Sequence, residues 1–146
     1  MSQKVLAGLL RLLVRTSSKE AEPPQRKLNV KIANCLQKWV AEKRYCLTDL
    51  SLSDVAEEFG VTSQSLSYFF ATVVKERFST FRKCLRLEEA KRIILEEPGC
   101  KLLVVAARVG IPDKCNFRKQ FHEKYGLSPS EWQKQCSESN KALIGK

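Results

Sequence analysis

The chain has 146 residues, with 26 Lys plus Arg against 16 Asp plus Glu and a net charge of +10 when its single His is neutral. That length excludes anything larger than one ordinary domain or two very small subdomains sharing a core, and an apolar content of 43% leaves enough material to build one. The positive excess directs attention to polyanionic partners, nucleic acid first and an anionic membrane surface second, and charge alone does not separate the two.

Residues 1–15 contain the apolar run VLAGLLRLLV, which is too short to cross a bilayer as a helix and is interrupted by Arg11. No convincing small-residue cleavage site follows it, which weighs against a signal peptide. Two readings stay open: a helix that packs on a partner or on itself, and the remnant of a longer membrane or sensor region in a parent protein. Residues 16–27 are polar and carry Pro23-Pro24, the composition of a linker. Together, residues 1–27 form an N-terminal apolar segment and polar linker.

From Leu28 the apolar positions are Leu28, Ile32, Cys35, Leu36, Trp39 and Val40, a helical stripe for a first, core-facing helix. Lys31, Lys38 and Lys43 fall on its solvated side. Next comes Ser51-Leu52-Ser53-Asp54, a capping box whose hydroxyl and carboxylate satisfy the free amides of a helix start. Val55, Ala56 and Phe59 then face inward, Gly60 supplies a left-handed ending, and Val61 plugs the turn. Thr62 caps a second helix with Leu66, Phe69, Phe70 and Val73 on its buried side. The result is a helix-turn-helix over about 51–75, in which a small residue at Ala56 lets two steeply crossing helices approach.

A long helix is predicted over about 79–97, capped by Ser79 and stopped by Pro98-Gly99. Phe81, Cys84, Leu85, Leu87, Ala90, Ile93 and Ile94 recur at helical steps, and Arg82, Arg86, Glu89 and Arg92 take the other faces. Beyond it the chain repeats itself. Leu52-x-x-Val55-Ala56-x-x-x-Gly60-Val61 returns fifty positions later as Leu102-x-x-Val105-Ala106-x-x-x-Gly110-Ile111. With one extra residue after the glycine, Leu66 answers Phe117, Phe70 answers Phe121, Phe78 answers Pro129, and Phe81 answers Trp132. A second helix-turn-helix is therefore expected over about 102–125, its second helix capped by Asp113, with Phe81 and Trp132 as equivalent core anchors. The joining helix would be roughly 27 Å long at about 1.5 Å per residue.

Six cysteines, at 35, 46, 84, 100, 115 and 136, show no short metal-ligand spacing, and there is one histidine to assist them. Reduced thiols in a cytoplasmic setting are the expectation, with no metal and no cofactor. None of these cysteines neighbours a histidine, and no glycine-rich phosphate loop is present, so neither thiol-based alkyl transfer nor any other enzyme activity is expected.

The paired turns, the joining segment Leu85-Arg86-Leu87-Glu88-Glu89-Ala90-Lys91, and the closing Phe121-x-x-x-Tyr125-Gly126-Leu127-Ser128-Pro129-Ser130-Glu131-Trp132 resemble the DNA-binding domain of the AraC/XylS family of bacterial transcription regulators. The resemblance covers about 28–136 and leaves 137–146 as a tail. It implies an all-α fold of two homeodomain-like helix-turn-helix subdomains joined by a long linker helix. It also implies two recognition helices entering successive major grooves of double-stranded promoter or operator DNA, sites about 34 Å apart on one face. Promoter regulation, usually activation, follows, with RNA polymerase as protein partner. The sequence contains no recognisable effector pocket or sensor domain, so the controlling signal is expected from the N-terminal remainder, from a missing sensor or membrane region of a longer parent protein, or from expression level alone. A protein-interaction or low-specificity DNA-binding module on the same fold is the alternative. The chain departs from the family pattern at Lys75, where a glycine usually closes the first recognition helix; at Leu103 and Val104, usually polar; and at Ile111-Pro112, usually a phenylalanine-led turn.

By helical phase the first recognition helix exposes Gln64, Ser65, Ser67 and Tyr68. Gln64 suits the donor and acceptor of adenine; Tyr68 and the serines suit phosphate or a thymine methyl. The second exposes Lys114, Cys115, Asn116, Arg118 and Lys119. Arg118 can fork onto O6 and N7 of guanine, Asn116 can address adenine, and the lysines can hold guanine or phosphate. Lys75, Arg77, Arg82, Lys83, Lys124 and Lys134 are candidates for phosphate contact, and His122 is expected to be a surface side chain.

Overall fold

The structure is a computed structural model that describes residues 24–144, and the apolar run at 1–15 lies outside the described residues. Among the described residues seven α-helices follow in order: α1 (Pro24–Ala41), α2 (Leu52–Phe59), α3 (Ser63–Phe69), α4 (Phe78–Glu96), α5 (Leu102–Arg108), α6 (Lys114–Tyr125) and α7 (Pro129–Ile144). A 3₁₀ turn (Arg44–Cys46) follows α1 and a π turn (Phe70–Val74) continues α3; there is no strand among the described residues. The fold is all-α, two helix-turn-helix subdomains joined by the long α4. The chain forms two compact units that meet within α4, the first ending at Lys83 and the second beginning at Cys84.

Helix α1 starts at Pro24, inside the segment read as linker. Proline is favoured at a first helical position, where its fixed φ suits the helix and its missing N–H has no partner to lose. Its buried stripe is Ile32, Ala33, Leu36 and Trp39. Around it the first unit packs Tyr45, Val55, Phe59, Leu66, Phe69, Phe70, Val74, Phe78 and Phe81. Much of this core is aromatic: the Trp39 ring lies 6.1 Å from Tyr45 and 5.8 Å from Phe78, and Phe70 lies 5.4 Å from Phe78 and 5.2 Å from Phe81.

The local signals of α2 appear as bonds. Ser51 Oγ accepts from the Asp54 N–H, and the Asp54 carboxylate accepts from the Ser51 N–H at 2.9 Å, completing the capping box. Those bonds, the backbone one first and the Ser51 hydroxyl second, hold the Asp54 carboxyl below its ordinary value of 3.8. A depressed carboxylate contributes to stability fully above its unfolded pKa, and the contribution fades as pH falls through the depressed folded value. Gly60 closes α2 at φ +70°, and the Val61 N–H turns back to the Ala56 carbonyl at 3.0 Å. The second unit repeats this closure fifty residues on: Gly110 has φ +86°, and the Ile111 N–H reaches the Ala106 carbonyl at 2.9 Å. The Ile111-Pro112 departure therefore leaves the turn intact.

Beyond Phe69 the structure differs from simple helical phase. The π turn widens the backbone, so that Val74 is buried at 4% exposure and Val73 is only half-buried. Lys75 then takes the left-handed conformation, φ +61° and ψ +35°, and donates its N–H to the Phe70 carbonyl. In the second unit Gly126 fills the equivalent place at φ +76°. A side chain in this region costs roughly 1–2 kcal/mol, whereas glycine brings back roughly 0.5–1 kcal/mol of unfolded-state freedom. We therefore expect Lys75→Gly to stabilise the protein by about 0.5–1 kcal/mol. Urea unfolding would register this as a raised midpoint, and a lowered one would show that the lysine is not strained.

Helix α4 begins at Phe78, so Ser79 sits inside its first turn rather than capping it. Its apolar positions behave as expected, with Phe81, Leu85, Leu87, Ala90, Ile93 and Ile94 buried and Cys84 half-buried. Glu89 is the exception among the polar positions: it is 6% exposed, and Arg92 reaches back one turn to pair with it. The second core adds Val105, Ala106, Val109, Ile111, Phe117, Phe121 and Cys136. Trp132 is half-buried rather than a deep anchor; its Nε1 donates to the Lys91 carbonyl at 3.2 Å, and the Lys91 ammonium lies 4.7 Å from its ring. The residues read as a tail from 137 continue α7 as far as Ile144.

Candidate nucleic-acid interface

Each recognition helix is built the same way, one frame of fifty-one residues apart. Thr62 caps α3 by accepting from the Ser65 N–H at 3.0 Å, and Asp113 caps α6 by accepting from the Asn116 N–H at 2.9 Å. Leu66, Phe69 and Phe70 anchor the first inward, and Phe117 and Phe121 anchor the second. The buried phenylalanines decide which side chains face out.

On α3, Gln64, Ser67 and Tyr68 are exposed, Tyr68 at 52%. Ser65 is half-buried, and its hydroxyl accepts from that of Thr62 at 2.8 Å, which ties it into the cap. The neighbouring Ser63 hydroxyl bonds to Ser53 of α2 at 3.2 Å and fastens the two helices together. No side chain from Ser63 to Val74 carries a formal charge.

On α6, Lys114, Cys115, Asn116, Arg118 and Lys119 are all exposed. Lys114, Arg118 and His122 follow at steps of four and share one side of the helix, and Lys119 adjoins Arg118. Asn116 is less free than its sequence suggests, because its carbonyl oxygen accepts from Gln120 at 2.9 Å. The exposed stripe is thus cationic, with no acidic side chain before Glu123. Beside it, Lys101, Leu103 and Gln133 join Lys114 and Arg118 in lining a surface groove of about 410 Å³. Leu103 and Val104 are exposed at 58% and 46%, at the positions where the first unit has Ser53 and Asp54.

The residues predicted to meet phosphate divide in two. Lys75 and Arg77 are exposed, and Lys83, Lys124 and the more distant Lys134 are at least partly so. Arg82 is engaged within the fold: it donates to the Leu50 carbonyl, lies 5.2 Å from the Phe78 ring centre, and is held below its ordinary pKa by burial. Lys124 is half-buried, with its ammonium 5.5 Å from the Tyr125 ring centre. The Tyr125 hydroxyl is pushed up by burial first and then by Glu88 and Cys84. His122 is exposed.

Beyond Gln64, Ser65, Ser67 and Tyr68, which the sequence singles out, Ala71 and Thr72, three and four residues past Tyr68, are exposed as well. Helical spacing was the available signal. None of the six cysteines is in a disulfide, with Cys115 the exposed one. Among the described residues no group of three or more His, Cys, Asp or Glu side chains could hold a metal ion, and no helix is long and apolar enough to cross a membrane.

Comparison with known proteins adds four findings. Residues 55–135 match a family described as a helix-turn-helix domain. Over 83 residues, 57% of this chain, the sequence is 34% identical to the uncharacterized HTH-type transcriptional regulator YpdC of Escherichia coli K12, of whose length the chain spans 29%. Among solved structures it is similar to the C-terminal domain of AraT, a response regulator from Geobacillus stearothermophilus, with a TM-score of 0.64 and 24% identity over 72% of this chain and 84% of that one. It is also similar to the C-terminal domain of the two-component response regulator yesN from Fusobacterium nucleatum, with a TM-score of 0.62 and 25% identity over 68% and 95% of the two chains.

Proposed function

The chain belongs to the AraC/XylS family of helix-turn-helix DNA-binding transcription regulators, a family of regulators and not of enzymes, and from that premise we propose that it binds double-stranded promoter or operator DNA sequence-specifically and activates transcription. The two recognition helices enter successive major grooves, with Gln64, Ser67 and Tyr68 reading one half-site and Lys114, Cys115, Asn116, Arg118 and Lys119 the other. Ser65 acts at the same place through the cap. Lys75, Arg77, Lys83 and Lys124 meet phosphates, and Arg82 positions the loop before α2 from its bond to Leu50. Residues 28–136 act as the DNA-binding domain, and RNA polymerase is the protein partner at the promoter.

The observation that carries this reading is the cationic stripe on α6, held outward by Phe117 and Phe121 and capped by Asp113. Selection of bound sites from random DNA, followed by footprinting, tests it. The expected result is an enriched sequence with two protected segments about one helical turn, roughly 34 Å, apart on one face. Protection of a single turn, or no enrichment, would overturn it. The uncharged α3 favours a second reading, a low-specificity or protein-binding module, and under that reading promoter and random DNA compete equally in a gel shift.

A further inference from the structure

We infer that the first recognition helix reads thymine methyl groups, its reading surface being the ring of Tyr68 with the methyls of Ala71 and Thr72. This rests on the DNA-binding reading above and adds what the first half-site must contain.

The two helices can be compared position by position, because their caps and their left-handed closing residues stand in the same frame. Where α6 presents Lys114, Arg118 and Lys119, α3 presents Ser63, Ser67 and Tyr68. The first helix therefore has no cation to fork onto guanine and no charge to spend on phosphate along its length. What it has is an exposed aromatic ring, with Ala71 and Thr72 exposed one turn further on. The Thr72 hydroxyl turns back onto the Tyr68 carbonyl at 2.7 Å. That bond occupies the polar end of Thr72 and places it beside the turn that carries Tyr68.

Along the major groove the base edges offer one apolar group, the C5 methyl of thymine. A neutral, apolar stripe gains contact there and nowhere else on the base edges. Over guanine or cytosine it would cover donors and acceptors without replacing their bonds to water. Gln64, one turn before Tyr68, carries the amide that suits adenine, the partner of thymine. From Gln64 to Thr72 the stripe spans roughly 12 Å, the length of three to four base-pair steps.

Deoxyuridine lacks the methyl of thymine and keeps its hydrogen-bonding edge, so it isolates the contact. With the whole chain and the site enriched from random DNA, thymines of each half-site are replaced by deoxyuridine and binding is followed by fluorescence anisotropy. In the first half-site each methyl in contact should cost about fourfold in affinity, the factor given by roughly 0.8 kcal/mol per buried carbon group. Tyr68→Ala should reduce this sensitivity, and Tyr68→Phe should retain it in full. A first half-site without thymine overturns the inference, as does a deoxyuridine effect that is absent or undiminished in Tyr68→Ala. So does a loss of affinity in Tyr68→Phe with deoxyuridine silent, which would place the hydroxyl on phosphate. In each of these cases an enriched site still stands and sequence-specific binding with it; if no site is enriched, both readings fall.

Discussion

Phe70→Ala is expected to lower the unfolding free energy by about 3–5 kcal/mol, a large share of the roughly 5–15 kcal/mol available to a small domain. The side chain is 2% exposed, and its ring meets Phe69 at 6.0 Å, Phe78 at 5.4 Å and Phe81 at 5.2 Å. Truncation removes the transfer energy of the ring and leaves a void, and it also ends three aromatic contacts, each worth roughly 0.5–1.5 kcal/mol beyond area. The Phe70 carbonyl receives the N–H groups of both Lys75 and Glu76 at the exit from the π turn, and alanine keeps that carbonyl, so the loss reports the ring alone. Urea unfolding gives the measurement. Tyr68→Ala, two residues away and pointing outward, is the control, within about 0.5 kcal/mol of the parent. Similar losses for both variants would mean that the first recognition helix is not anchored through Phe70.

Arg118→Ala is expected to weaken binding to the selected site by about 1–3 kcal/mol and to relax preference at one base pair. The residue is exposed on α6 between Lys114 and His122, one step from Lys119, and no acidic side chain shares that stripe before Glu123. A guanidinium offers two parallel N–H donors to O6 and N7 of guanine, whereas an ammonium is a point charge, so Arg118→Lys should retain the salt dependence and weaken the base preference. A residue that only meets phosphate behaves differently: its loss weakens cognate and random DNA alike and reduces the salt slope by about 1. Titrations of site variants and random DNA at several salt concentrations separate the outcomes, and equal weakening on all sequences would remove Arg118 as a reader.

Much of the fold was legible because its signals are local and occur twice. Ser51 with Asp54, Thr62 and Asp113 are capping residues whose bonds span three positions, and Gly60 and Gly110 mark left-handed endings that few other residues accept. The repeat then transfers each reading from one unit to the other. What sequence did not reveal depends on non-local packing or on a change of helical pitch. Simple phase buries Val73, but the π turn rotates Val74 into its place. Arg82 looks like a surface cation until the Leu50 carbonyl, thirty-two residues back, is seen to receive it. Trp132 matches Phe81 in the repeat, yet its indole N–H requires an acceptor and finds one at the Lys91 carbonyl, which holds it nearer the surface. Among the site residues, exposure follows from phase, whereas the engagement of Asn116 by Gln120 and of Ser65 by Thr62 follows only from side-chain geometry.

The chain has two tryptophans, and each compact unit holds one of them in a different setting. Trp39 is 2% exposed among Tyr45 and Phe78, whereas Trp132 is half-buried beneath an ammonium. An indole shielded from water emits further to the blue than one that feels solvent. The protein therefore carries its own pair of optical labels, and replacing either with phenylalanine leaves a spectrum that follows the other unit alone.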